Sequence, residues 1–282
     1  MKLIPIIAEY FKMDGGACFG VVPKIIWRNM VKADDDNLIN LASRCLLADT
    51  SKRVILVDTG MGSKQGEKFF GYYHRFGNFT LEGSLKAAGY EPDQVTDVIL
   101  THLHFDHAGG AIRNGKNPGT LEPVFSNATH YVSKAQWDWA MNPNPREKAS
   151  YLGENYLPLY ENGQLKLIHQ EGDFCEGVSI EIKNGHTRGL VVPIFDYKEK
   201  KVVFTTDFIP FVQHLHLPFL AAFDIDPIAA MEEKNEFLKR ALKNDWILCF
   251  QHDFYNECCN LASTPRGIRH NKIFNLSDLD QI

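Results

Sequence analysis

The chain has 282 residues, 44% of them hydrophobic, which is enough apolar material for a full core. Its net charge of −5, without any basic run, excludes a surface that tracks nucleic-acid phosphates. No apolar stretch is long enough to cross a bilayer, and the opening MKLIPIIAEYF, broken by Pro5 and Glu9, is too short for a secretory core. In chain order, residues 41–48 and 53–57 read as paired strands with a turn at Asp49–Lys52, and the second runs into Asp58-Thr59-Gly60. Thr80 to Ala88 reads as a helix, capped by Thr80 and closed by Gly89. The β-rich run Val95–Thr101 leads into a cluster of histidines. Residues 111–170, full of Asn, Pro and Gly breaks and aromatics, are expected to form a loop-rich insertion that walls a pocket, with a strand near His130–Val132 and a short helix near Ala135–Met141. Strands resume at 178–183, 190–197 and 201–206, with a charged hairpin turn at Lys198–Lys200. Asp226 and Pro227 open a helix reaching Asn244, whose Ile228, Met231, Leu238, Ala241 and Leu242 recur at helical spacing as a buried face. Trp246–Phe250 is the last expected strand.

Thr101-His102-Leu103-His104-Phe105-Asp106-His107 packs three imidazoles and a carboxylate into six residues. On an extended backbone His102 and His104 point to the same side, and a turn at Phe105 swings Asp106 and His107 to a neighbouring position. Buried without a cation, such groups would leave polar atoms unpaired. Two adjacent metal sites follow from that geometry. His186, Asp207 and His252 each sit where a predicted strand ends, and complete a set of five His and two Asp. The cysteines Cys18, Cys45, Cys175, Cys249, Cys258 and Cys259 are scattered, with no C-x-x-C pair, and read as reduced thiols of a cytoplasmic protein.

The order and spacing of His102-x-His104-x-Asp106-His107, His186, Asp207 and His252 resemble the H-x-H-x-D-H signature of the metallo-β-lactamase superfamily. Asp58-Thr59-Gly60 is similar to its early D-T-G element, so the resemblance spans nearly the whole chain. It implies an α/β fold: a four-layer αβ/βα sandwich with two sheets face to face and helices outside, formed by residues 1–282 as a single domain. Gly20-Val21-Val22-Pro23-Lys24 with Trp27, Asp207-Phe208-Ile209-Pro210, His214, Pro218 and Phe223-Asp224 are similar to the branch of quorum-quenching lactonases and methyl-parathion-type hydrolases. Members of that branch often pair, which makes a homodimer a candidate assembly.

The resemblance implies that one metal takes His102, His104 and His186, that the other takes Asp106, His107 and His252, and that Asp207 bridges them. Nitrogen-rich donors suit zinc, with manganese, cobalt and iron also compatible. Flavodiiron relatives carry a glutamate at the position of His104, which favours hydrolysis over redox chemistry. Asp58 is expected to orient a ligand histidine. Two ions about 3.5–4 Å apart would ionise a bridging water. Asp106 would pass a proton to the leaving group, and His214 would stand near the substrate oxygen, since Pro210 occupies the position of the lactonases' tyrosine. Ester or lactone hydrolysis is the first expectation, with an N-acyl-homoserine lactone as the candidate substrate and Phe19, Trp27, Trp137 and Trp139 around its acyl chain. Phosphotriester hydrolysis is the alternative. A non-catalytic binding module on the same fold is an alternative of another class. Neither a nucleic acid nor a membrane is an expected partner.

Overall fold

The computed structural model describes residues 1–281. The chain divides into two units, Met1–Tyr10 with Ser43–Glu171, and Phe11–Ala42 with the chain from Gly172 onward.

Strands β1 (Lys2–Asp14), β2 (Leu38–Asp49), β3 (Val54–Val57), β4 (Asp97–Ile99), β5 (Ile112–Asn114), β6 (Leu121–Pro123), β7 (Thr129–Ser133) and β8 (Leu165–Ile168) come first. A six-stranded sheet runs β1-β2-β3-β4-β7-β8, and β5 and β6 form a separate hairpin. The predicted turn at Asp49–Lys52 joins β2 to β3. Ser51 adopts φ +68° there, and its N–H donates to Asp49 Oδ1 at 2.8 Å. From β3 to β8 the pairing is parallel. Strands buried on both faces need near-continuous apolar runs, which Ile55-Leu56-Val57 and Val98-Ile99-Leu100 supply. Because Val57 pairs with Ile99 in parallel register, β3 and β4 release their chains level with one another. Asp58 and Thr101 therefore leave the same end of the sheet, the end at which open α/β sheets place ligands. Thr80 caps the helix Leu81–Ala87 by accepting from Gly83 N–H, and Gly89 follows at φ +87°. The segment 111–170 contributes β7, the helix Lys134–Met141 capped by Ser133, and also β8, a strand within the stretch expected to be loop.

The second unit contains β9 (Gly172–Cys175), β10 (Val178–Lys183), β11 (Leu190–Tyr197), β12 (Lys200–Phe204), β13 (Ile247–Cys249), β14 (Cys258–Thr264) and β15 (Gly267–Phe274). They form one sheet in the order β15-β14-β13-β12-β11-β10-β9. The β11–β12 turn has Lys198 and Glu199 both at positive φ (49° and 63°), matching the right-handed twist of a two-residue hairpin. β12 and β13 are parallel, with the helix Pro227–Lys243 between them in the chain. Asp226 caps that helix by accepting from Ala229 N–H. Its buried face keeps Leu238 and Ala241 of the predicted one, but Ile228 is 61% exposed, and Ala230, Lys234 and Phe237 also face inward. Lys234 can occupy a core position because its ammonium donates to the carbonyls of Phe219 (2.6 Å) and His216 (3.2 Å). Among the described residues no helix is long and apolar enough to cross a membrane.

Candidate metal centre

In the first unit, β4 runs out through Leu100 and Thr101 into the histidine cluster, and a short helix, Phe105–Ala108, begins at the predicted turn. His102, His104, Asp106 and His107 are all buried. The His102 ring lies 4.5 Å from that of His104 and 3.9 Å from that of His107, centroid to centroid. Asp106 Oδ2 is 3.6 Å from His107 Nε2. Asp58, at φ +60° and fully buried, accepts from Thr101 N–H (2.7 Å) and the Thr101 hydroxyl (2.8 Å). Its Oδ2 also lies 2.9 Å from His107 Nδ1. A carboxylate can only accept, so Nδ1 carries the proton and Nε2 keeps a lone pair. Thr59 fixes the same residue from behind, its N–H and hydroxyl both donating to the His107 carbonyl at 2.8 Å.

Glu147, which no motif singles out, lies with Oε1 3.4 Å from His104 Nε2. Trp139 Nε1 and Asn144 Nδ2 each donate to its Oε2 at 2.7 Å, and the Tyr151 hydroxyl donates to Oε1 at 3.3 Å. The buried carboxylate is thus fixed by the segment 111–170 and faces the Nε2 side of the His104 ring.

In the second unit, His186 follows β10 and His252 follows β13, as expected. Asp207 was expected to end a strand. Instead β12 stops at Phe204, and Asp207 lies in the 3-10 turn Thr206–Phe208, entered through Thr206 at φ +47°. One carboxylate then faces two imidazoles: Asp207 Oδ1 is 2.8 Å from His252 Nε2, and Oδ2 is 3.2 Å from His186 Nε2. The far nitrogens have acceptors of their own. His186 Nδ1 donates to Asp224 Oδ1 (2.9 Å) and His252 Nδ1 to the Ala42 carbonyl (2.8 Å). In the neutral ring this leaves both Nε2 lone pairs beside the Asp207 oxygens, an arrangement that shared cations would relieve. This donor set fits transition-metal ions sharing a carboxylate. Gly185 matters to the placement, because a Cβ there would stand 2.3 Å from Ala230 Cα of the long helix.

The remaining candidates occupy other settings. His214 is buried, donates from Nε2 to the Cys18 carbonyl at 3.0 Å, and packs edge-on against Phe19 and Phe211. Burial first, then the Lys234 ammonium, push its pKa down to about 3, so it is neutral at working pH. Phe19 and Trp27 stack at 5.4 Å, both buried. Trp137 packs against Tyr156 and Tyr160, and Trp139 is the Glu147 donor. Pro210, at the position noted above, accepts the His252 N–H through its carbonyl at 3.2 Å.

The family model described as the metallo-beta-lactamase superfamily matches residues 39–252. An N-acyl homoserine lactonase of Bacillus cereus is 28% identical over 234 residues, covering 78% of this chain and 85% of that protein. A protein of solved structure from Staphylococcus aureus, described as a probable metal-dependent hydrolase, superposes with a TM-score of 0.87 at 26% identity, over 97% of this chain and 96% of its own. An N-acyl homoserine lactone hydrolase, solved with N-hexanoyl-L-homoserine at its catalytic metal centre, superposes with a TM-score of 0.67 at 25% identity, over 90% of this chain and 93% of its own.

Proposed function

The chain belongs to the metallo-beta-lactamase superfamily and has its fold, and from that premise we propose that it is a dimetal hydrolase that opens lactone rings, with N-acyl-homoserine lactones as the substrate class. The observation that carries the reading is Asp207, whose two oxygens each face the Nε2 of a different histidine, with both rings held from behind at Nδ1. His102, His104 and His186 would hold one ion, Asp106, His107 and His252 the other, and Asp207 would bridge them. Zinc is the ion proposed, because borderline nitrogen donors dominate the set. When bound, two such ions supply Lewis acidity for the substrate carbonyl and ionise water near neutral pH.

The protein's own groups have separate tasks. Asp58, Asp224 and the Ala42 carbonyl hold three rings in the Nδ1–H tautomer, which leaves the Nε2 lone pair for a metal ion. Glu147 orients His104. Asp106 is the carboxylate proposed to pass a proton to the departing alkoxide. His214 enters as the anchor of the Cys18 carbonyl, since a neutral ring that titrates near pH 3 and is hydrogen-bonded to the backbone is a poor acid or base at pH 7. Residues 1–282 are taken as one catalytic domain, because the family match draws on both units. The cytoplasm is the proposed location, in keeping with six cysteines that form no disulfide.

The test is metal analysis of purified protein followed by a panel of acyl-homoserine lactones, simple γ- and δ-lactones, aryl esters and phosphotriesters. About two divalent ions per chain and a preference for lactones are expected. Preference for phosphotriesters would move the protein to the methyl-parathion type. A folded chain that takes up no metal and hydrolyses nothing would make it a binding module.

A further inference from the structure

The first unit has a cavity of about 600 Å3 to which none of the seven candidate ligands contributes. Glu9, brought there by β1, is 7% exposed. Its Oε1 accepts from Met61 N–H at 3.0 Å, and the Ser43 hydroxyl is its other hydrogen-bonding partner. Among the described residues no lysine or arginine forms an ion pair with it. Arg75 forms no ion pair with Glu9, although its charge acts on it: it donates to the Gly62 carbonyl at 2.8 Å and lies 3.4 Å from the Phe70 ring centroid. Arg113, also in the lining, is neutralised by Glu82 (3.0 Å) and Glu122 (2.8 Å). The rest of the wall includes Phe79, Leu81 and Ile112.

A buried carboxylate without a paired cation is costly to ionise, and burial pushes the Glu9 pKa up to about 7. A cation brought in by a ligand would offset that cost, and the apolar wall would take the ligand's body. The volume is in the range of small-molecule sites. We infer that this cavity is a binding site for a small organic amine, its ammonium on Glu9 and its hydrocarbon or aromatic body against Phe79, Leu81 and Ile112. Arg113 is already bonded to two carboxylates, and Glu9 itself would repel an anionic head group. That is why the inference is an amine and not a carboxylate.

The experiment is calorimetric titration of the metal-loaded protein at pH 8 with hexylamine and 2-phenylethylamine, against hexan-1-ol and hexanoate. The amines are expected to bind saturably, about tenfold or more tighter than the alcohol, a difference of roughly 1.4 kcal/mol. Glu9→Gln should erase that difference. Val124→Trp, which adds bulk to the lining, should weaken amine and alcohol together. Equal binding of amine and alcohol would overturn the inference, as would amine binding unchanged in both variants. Amine binding that disappears only on chelation would assign it to the metal centre and would equally overturn it.

Discussion

Asp58 and Asp224 perform the same task on different histidines. Each accepts from an imidazole Nδ1–H at 2.9 Å, and each is itself fixed by N–H donors, Thr101 for Asp58 and Ala221 for Asp224. Removing such a partner leaves the ring free to rotate or to change tautomer. Asp224→Ala is therefore expected to lower metal affinity or hydrolytic rate by about 10–100-fold with the fold retained, as competition with a chromophoric chelator would measure. Glu9 supplies a prediction of another kind. Its folded pKa, about 7, lies above the ordinary 4.5, so the folded state binds the extra proton between those values. Its contribution to stability is fully present below pH 4.5 and is lost as pH rises through 7, a change of about 3 kcal/mol at most. Glu9→Gln should flatten that part of the pH–stability curve, and denaturant melts of both proteins from pH 5 to 8 would show it. Equal pH slopes would contradict a buried Glu9 that ionises in this range. Asp58 was legible in the sequence because it closes a strand just before a known type of loop. Glu147 and the Ala42 carbonyl were not, since one lies 43 residues from the ring it touches and the other is backbone, which carries no letter of its own.

At the scale of elements, the candidate ligands are positioned by contacts too close for a side chain. A Cβ on Gly109 would stand 2.2 Å from the Met61 carbonyl oxygen, and one on Gly110 would stand 2.1 Å from that of Thr59. The loop after β3 thus lies directly on the chain leaving the helix Phe105–Ala108, and Lys64 reinforces it by donating to the carbonyls of Gly109 (2.5 Å) and Ile112 (3.2 Å). Gly110→Ala should cost about 1–3 kcal/mol by overpacking and should cut activity more than that loss of stability explains, because the ligand helix must shift. Comparing melts with single-substrate kinetics separates the two effects. The cap at Asp226 gives a purely structural contrast. Asp226→Ala is expected to cost about 1 kcal/mol in denaturant melts and to leave the bound metal count unchanged. Elements were legible where pattern and punctuation agreed, as in the alternating β10 and the Asp-Pro start of the long helix. The hairpin of β14 and β15 was not, because β15 reads Gly-Ile-Arg-His-Asn-Lys-Ile-Phe and keeps most of its side chains in solvent. Lys234 escaped notice for the opposite reason: a charged residue in a helix reads as surface until two backbone carbonyls are seen to receive it.

For the whole molecule, the sequence made the fold family legible through seven candidate ligands scattered over 150 residues, from 102 to 252, a span that an unfolded chain would not hold together. That spread has a thermodynamic consequence. An ion that binds the folded chain and not the unfolded one stabilises it by RT ln(1 + [L]/Kd), about 4 kcal/mol at a thousandfold excess over Kd. Removing the ions with a strong chelator should therefore lower the melting temperature, and adding zinc back should restore it with a concentration dependence of that logarithmic form. In Asp207→Ala, which removes the carboxylate facing both His186 and His252, the restoring shift should shrink or vanish and all hydrolytic activities should fall together. A melting temperature indifferent to chelation in the wild-type protein, or one activity that survives in Asp207→Ala, would mean that the seven groups do not share a pair of metal ions.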